Sequence, residues 1–192
     1  MFNKKIFGII SLAAVISLSA CANDNNEDEV HENSGKNLEE SYDTDHSSMN
    51  HSSDGEIPTG LKESTNPTYP ADSKAIIQTN HMEGMNGAEA TIVGAFDTTV
   101  YSVTYTPTIG GEPVTKHKWV IHEELEEAEQ ETLKSGDQVT LKANHMEGMQ
   151  GANATIDSAT ETTVYMVDYI STSGEEVKNH KWVTESELSA IE

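Results

Sequence analysis

The sequence predicts an all-β fold, two tandem small SH3-like β-barrel repeats set behind a disordered tether. Three observations carry that expectation. Six residues, Asn80-His81-Met82-Glu83-Gly84-Met85, recur unchanged as Asn144-His145-Met146-Glu147-Gly148-Met149, sixty-four positions further on. Around them, apolar and polar residues alternate with the period of two that marks half-buried strands. Upstream of about residue 72 that alternation stops, and the chain turns to Asn, Asp, Glu, Ser and His.

Residues 1–20 read as an export signal. Lys4 and Lys5 give the positive start, Ile6 to Leu18 the apolar run, and Leu18-Ser19-Ala20 the small-residue cleavage site. The apolar run is too short for a stable transmembrane helix. Leu-Ser-Ala-Cys is the bacterial lipobox pattern, so Cys21 is expected to become the lipid-modified first residue of the mature chain. More than one acyl chain there holds a protein stably on a membrane surface. Cys21 is the only cysteine. Once acylated it is lost to disulfides and to metals, so any metal chemistry must use His, Met and carboxylates.

Thirty-three acidic residues face eleven lysines and no arginine, and removal of the signal takes two of those lysines away. Such a surface repels phosphate backbones, which argues against nucleic-acid binding. Anionic lipid headgroups are equally poor partners, which leaves the acyl anchor as the means of attachment. A negative field does raise the local concentration of cations.

Residues 21–72 form the expected tether. Val30, Leu38, Ile57 and Leu61 are scattered with no sustained period, too few to offset the entropy of an ordered backbone. About fifty flexible residues span roughly 40 Å end to end. Within them, Asp43 to His51 brings His46, Met49 and His51 together among aspartates, the composition of a flexible metal-capturing tract. A polar linker that happens to hold histidines has the same composition.

The two repeats, 73–130 and 131–192, follow one plan. In the second, Val139, Leu141 and Ala143 alternate with polar residues as a strand, and the His-Met-Glu-Gly-Met loop follows. Ala154 and Ile156 mark the next strand, and Val164-Tyr165-Met166-Val167-Asp168-Tyr169 is a β-branched and aromatic run. Gly174 sits in a hairpin turn, His180-Lys181-Trp182-Val183 reads as the last strand, and Glu185 to Ile191 as a short helical turn. The first repeat matches with Thr91-Ile92-Val93, Val100 to Tyr105 and His117-Lys118-Trp119-Val120. Its one extra residue falls at Gly110-Gly111, in the hairpin, where loops accept insertions. Glu123 to Lys134 is acidic and reads as a connector. Units of about this size bury little core alone, and packing one barrel on the other explains a tandem arrangement.

The repeated loop combines imidazole and thioether donors with a glycine that lets the backbone turn. His81, Met82 and Met85, with His145, Met146 and Met149, suit a soft ion, Cu(I) above all. Zn2+ prefers more His, carboxylate or thiolate, and Ca2+ needs an oxygen cage at a spacing this sequence lacks. The loop is equally able to serve as a packed turn, since methionine fills irregular gaps. Its echo at His46, Met49 and His51 in an exported, anionic chain tips the reading to copper. His117, His122 and His180 rank behind these, because a lone histidine on a strand is usually structural. Tyr101, Tyr105, Tyr165 and Tyr169 are expected to pack the sheet. No nucleophile elbow or phosphate-cradling glycine loop is present, and catalysis is not expected.

The lipobox, the acidic tether and two copies of Asn-His-Met-x-Gly-Met, Thr-Thr-Val-Tyr and His-Lys-Trp-Val together resemble the YdhK-like surface lipoproteins of Gram-positive bacteria, a family that includes the CopL-type copper-binding lipoproteins. The resemblance runs from Ser73 to Glu192. It implies a lipid-anchored protein on the outer face of the cytoplasmic membrane that binds copper and protects the cell from it. The expected partners are the copper ion, the membrane through Cys21, and a copper exporter or a cell-wall component. The competing expectation is an interaction module that binds a cell-wall component or another surface protein without metal.

Overall fold

The computed structural model describes residues 53–126 and 131–191. Eight strands form one sheet: β1 (Lys62–Glu63), β2 (Lys74–Ile77), β3 (Glu89–Tyr105), β4 (Val114–Ile121), β5 (Gln138–Thr140), β6 (Asn153–Ile170), β7 (Glu176–Thr184) and β8 (Leu188–Ser189). Single 3-10 turns, His122–Glu124 and Glu185–Glu187, follow β4 and β7. The all-β class and the tandem organisation read from the sequence both stand.

The sheet is built around β3 and β6, of 17 and 18 residues. In each, the sequence marks two apolar stretches separated by threonines. Those threonines, Thr98, Thr99, Thr162 and Thr163, are β-branched and continue the extended backbone, so the two stretches merge into one strand. β3 and β6 run antiparallel along their whole length, from Ala90 opposite Tyr169, through Thr98 opposite Thr162, to Tyr105 opposite Ala154. The start of β3 is flanked by β2, and β2 by β8. The start of β6 is flanked by β5. The later halves of the two strands carry the hairpin partners, β4 on β3 and β7 on β6.

Each core therefore draws on both repeats. One apolar cluster joins Ala75, Ile77, Met85 and Ile92 of the first repeat to Tyr165, Val167, Val183 and Leu188 of the second. The other joins Tyr101, Val103, Val120 and Leu125 of the first to Leu141, Met149, Ala154 and Ile156 of the second. A third, central cluster holds Phe96, Val100, Ile121, Val164, Met166 and Trp182. There the Phe96 and Trp182 rings meet edge to face at 5.8 Å, a contact worth about 0.5–1.5 kcal/mol beyond the area it buries. The sequence reading placed one closed barrel in each repeat; the sheet is open, and the repeats exchange halves. Alternation tells which face of a strand is buried, not which strand lies beside it. Because the repeats are homologous, a strand finds an equivalent neighbour in either copy.

Residues 53–72, assigned to the tether on sequence, belong to the folded body. β1 pairs with Phe96 and Asp97, and Asp72 N–H bonds the Ile92 carbonyl at 2.9 Å. The Tyr69 ring packs edge-on against Tyr165 at 5.7 Å, and Leu61 joins the central cluster. Further upstream, Ser53 N–H bonds the Lys178 carbonyl at 2.9 Å, Ser53 Oγ donates to the Asn179 carbonyl at 2.7 Å, and Asn179 Nδ2 donates back to Ser53 O at 3.2 Å. Single anchors of this kind leave no periodicity to detect, which is why the boundary falls earlier than composition suggests. The signal at 1–20, Cys21 and the tract His46, Met49 and His51 lie outside the described residues.

Candidate functional site

Each His-Met-Glu-Gly-Met loop closes a turn through its glycine, with the Met85 N–H on the Met82 carbonyl at 3.3 Å and the Met149 N–H on the Met146 carbonyl at 3.1 Å. Gly84 and Gly148 have φ of +73° and +75°, a region glycine reaches without strain. The opposite repeat's hairpin closes over them. Thr172 N–H bonds the Gly84 carbonyl at 2.8 Å, and Thr108 N–H bonds the Gly148 carbonyl at 2.8 Å. A Cβ at Gly148 would lie 2.8 Å from Ile109 Cγ1 and 3.0 Å from Pro107 Cβ, so the contact needs the bare backbone.

The turn divides the loop's ligand candidates. Met85 and Met149 point inward and are wholly buried in the two apolar clusters. They fit the packed-turn role. Met82 and Met146 are half-buried at the edges of the same clusters. The Tyr169 hydroxyl donates to Met82 Sδ and the Tyr105 hydroxyl to Met146 Sδ, both at 3.8 Å. Burial pushes both phenols up to about 12, with Glu175 adding to it at Tyr169, so each remains an O–H donor at neutral pH.

The two histidines meet carboxylates that the sequence reading did not select. His81 Nε2 lies 2.8 Å from Glu187 Oε1, and His145 Nε2 lies 2.8 Å from Glu124 Oε1. In both pairs the carboxylate comes from the other repeat. Each glutamate is third in its 3-10 turn and reaches back to the turn's start, as capping glutamates do. Glu187 Oε2 accepts from Thr184 N–H at 3.0 Å, Thr184 Oγ1 at 3.0 Å and Trp119 Nε1 at 2.8 Å. Glu124 Oε2 accepts from Ile121 N–H at 3.2 Å and Trp182 Nε1 at 3.0 Å. Burial by itself would raise both carboxyls. The bonds and charge of the facing histidine, with the N–H donors, outweigh it, holding Glu187 down to about 2 and Glu124 below its ordinary value. Two differences separate the copies: Thr79 Oγ1 and Thr184 Oγ1 also donate to Glu187, at 3.2 and 3.0 Å, where Ala143 and Ile121 stand at the matching positions.

The second nitrogen of each ring is the exceptional atom. Nδ1 of His81 and Nδ1 of His145 are buried and have no hydrogen-bond partner. The side chains are 8% and 11% exposed, so solvent offers little relief. Leaving a buried polar group unsatisfied costs about 1–3 kcal/mol, so each such atom calls for an explanation in strain, a chemical role, a water or an ion.

Two further histidines join these groups. The His117 and His145 ring centroids are 6.1 Å apart, and Tyr105 meets His117 edge-on at 6.1 Å. In the other copy Tyr169 meets His180 edge-on at 5.8 Å. Both histidines follow a residue in the left-handed region, Lys116 at φ 52° and Asn179 at φ 50°. The backbone N–H groups of Lys116 and Asn179 are caught by side chains of the neighbouring strand, Thr104 Oγ1 at 3.1 Å and Asp168 Oδ1 at 2.8 Å. The same backbone device thus aims His117 and His180. His122 is different: its Nδ1 meets the Tyr101 hydroxyl at 2.9 Å, as Glu185 meets the Tyr165 hydroxyl at 3.1 Å. Tyr101 and Tyr165 are fully buried in the sheet.

Among the described residues no three His, Cys, Asp or Glu side chains converge as a metal site. An ion at either loop would have to be satisfied by imidazole and thioether, the donors Cu(I) accepts. The signal that sequence reading missed was internal: Glu124-Leu125 and Glu187-Leu188 stand sixty-three positions apart, the same offset as His117 and His180.

The family described as "Protein of unknown function (DUF1541)" matches residues 72–122 and 135–185. A Bacillus subtilis (strain 168) relative, "Uncharacterized protein YdhK", is 56% identical over 190 residues, which span 98% of this chain and 90% of the relative. A crystal structure of the DUF1541 family protein ydhK from Bacillus subtilis superposes with a TM-score of 0.73 at 62% identity. It covers 76% of this chain and 100% of that one. A solution NMR structure of the ydhK C-terminal domain gives a TM-score of 0.60 at 65% identity, over 62% of this chain and 92% of that one.

Proposed function

The chain belongs to the DUF1541 family, and from that premise and the paired loop geometry we propose that it is a non-enzymatic copper-binding lipoprotein of the cell surface. It holds Cu(I) at His81 with Met82 and at His145 with Met146, with His46, Met49 and His51 as an outer capture tract. The observation that carries this reading is the pair of buried, unpartnered Nδ1 atoms, each on a histidine followed in the chain by a half-buried methionine. Binding an ion supplies both copies with the partner their packing withholds. Met85 and Met149 leave the ligand set and serve the core.

Location follows from the signal and lipobox. An acyl anchor at Cys21 would fix the chain to the outer face of the cytoplasmic membrane, and the acidic segment after it would raise the local cation concentration. A bound ion is buffered there and withheld from the cell, or passed to a copper exporter.

The test is a titration of the mature chain carrying Cys21→Ser, which removes the only thiol, against a chromophoric Cu(I) chelator. The protein is expected to withdraw copper near stoichiometrically, and His81→Ala with His145→Ala to abolish most of that capacity while the fold persists. A folded parent chain that withdraws no copper sinks the proposal. The interaction-module reading would then take its place. Its physical support is a shallow polar groove of about 520 Å³ at the centre of the sheet, lined by Lys62, Asp97, Thr98, Glu123 and Thr162.

A further inference from the structure

We infer that Glu187 and Glu124 are positioning residues that make Nδ1 the metal-binding atom of His81 and of His145, each carboxylate serving the histidine of the opposite repeat. The inference rests on the copper reading and names the atom and the partners that reading requires.

A carboxylate held 2.8 Å from Nε2 is an acceptor only, so in the neutral ring the proton sits on Nε2 and the lone pair on Nδ1. Metal-ligating histidines commonly give their other N–H to a carboxylate, which fixes the tautomer and orientation and raises the basicity of the ligating nitrogen. Here the carboxylates are themselves held. The second oxygen of Glu187 is fixed by Thr184 N–H and the Trp119 indole, and that of Glu124 by Ile121 N–H and the Trp182 indole. The rings are thus aimed by the chain's own groups. A pair serving stability alone has no reason to leave the remaining nitrogen buried and unpartnered, and this chain does so twice, at equivalent positions.

The wiring crosses between repeats in both directions. β4 and its 3-10 turn send Trp119 to one site and Glu124 to the other; β7 and its turn send Trp182 and Glu187 the opposite way. Neither site is complete with one repeat alone.

The test uses the mature chain with Cys21→Ser. Long-range 15N–1H spectra of the metal-free protein read the ring tautomers, and the Nε2–H form is expected at both His81 and His145. An Nδ1–H form at either would overturn the inference for that site. In Cu(I) competition, Glu187→Ala and Glu124→Ala are each expected to weaken one site by about 10–100-fold. Glu187→Gln and Glu124→Gln, which keep an acceptor oxygen without the charge, should fall between those variants and the parent. Folded alanine variants with parental affinity overturn the inference. Where an alanine variant does not fold, parental affinity in its glutamine counterpart does so instead. A parent chain that takes no Cu(I) overturns the copper reading and this inference together, whereas a copper-binding parent indifferent to both glutamates overturns this inference alone.

Discussion

His81 Nε2 and Glu187 Oε1 lie 2.8 Å apart across 106 positions of chain. The contact joins the loop of the first repeat to the last turn of the second, and its twin joins His145 to Glu124 at the same distance. The imidazole–carboxylate geometry and the tertiary assembly are therefore the same set of bonds, which sets what substitutions should do.

Met85 and Met149 are expected to tolerate leucine. Each is wholly buried, and Leu-for-Met conserves volume, so the cost should stay below about 1.5 kcal/mol. Cu(I) affinity should not move. Met82→Leu and Met146→Leu should leave stability nearly unchanged and lower Cu(I) affinity by about tenfold or more, tenfold being about 1.4 kcal/mol. Parallel denaturation curves and chelator titrations on the four variants separate packing from ligation.

Gly148→Ala should destabilise the fold more than Gly84→Ala. Both place a side chain at positive φ, a cost of about 1–3 kcal/mol. At Gly148 the new Cβ also meets Ile109 Cγ1 at 2.8 Å, against 3.1 Å to Ser171 Cβ at Gly84. Adding Ile109→Ala should recover part of the Gly148→Ala loss but not the backbone component. Urea midpoints of the three variants measure both.

Acid should weaken the fold through Glu187. Its carboxyl is depressed in the folded state from 4.5 to about 2. The stabilisation is therefore fully present above about pH 4.5 and lost as pH falls toward 2. Glu187→Gln should flatten the pH dependence of the urea midpoint across that window. An unchanged slope would show that the pair contributes no linkage.

Trp182→Phe is expected to cost more than Trp119→Phe. Both remove an indole donor from a glutamate carboxylate, but Trp182 and its acceptor Glu124 are buried and Trp182 also packs on Phe96, whereas Trp119 and its acceptor Glu187 are half-buried. Unpairing such a group costs about 1–3 kcal/mol. Thermal unfolding of the two single variants orders them.

The strands, the loop between the first two strands of each repeat and the hairpins are legible from alternation, β-branched runs and glycines. So is the pairing of imidazole with thioether in one loop. The positions of Glu124 and Glu187 are not, because in a chain with thirty-three acidic residues two more glutamates look like solvated surface. Their role depends on β3 lying against β6, a contact between distant segments that local patterns do not encode. His117 and His180 were visible as repeated residues, but only the left-handed Lys116 and Asn179 reveal how they are aimed. Met85 could be separated from Met82 only once the turn at Gly84 was known.

The exchange of halves about Thr98 and Thr162 has the geometry of an isologous homodimer whose subunits share one polypeptide. Carrying both repeats on one polypeptide then raises their effective concentration for each other. A chain bearing a single repeat would have to find a second copy of itself before it could either fold or complete an imidazole–carboxylate pair. Two such chains meeting would rebuild both pairs at once, so an ancestral one-repeat protein would have gained its fold and both imidazole–carboxylate pairs in the same association.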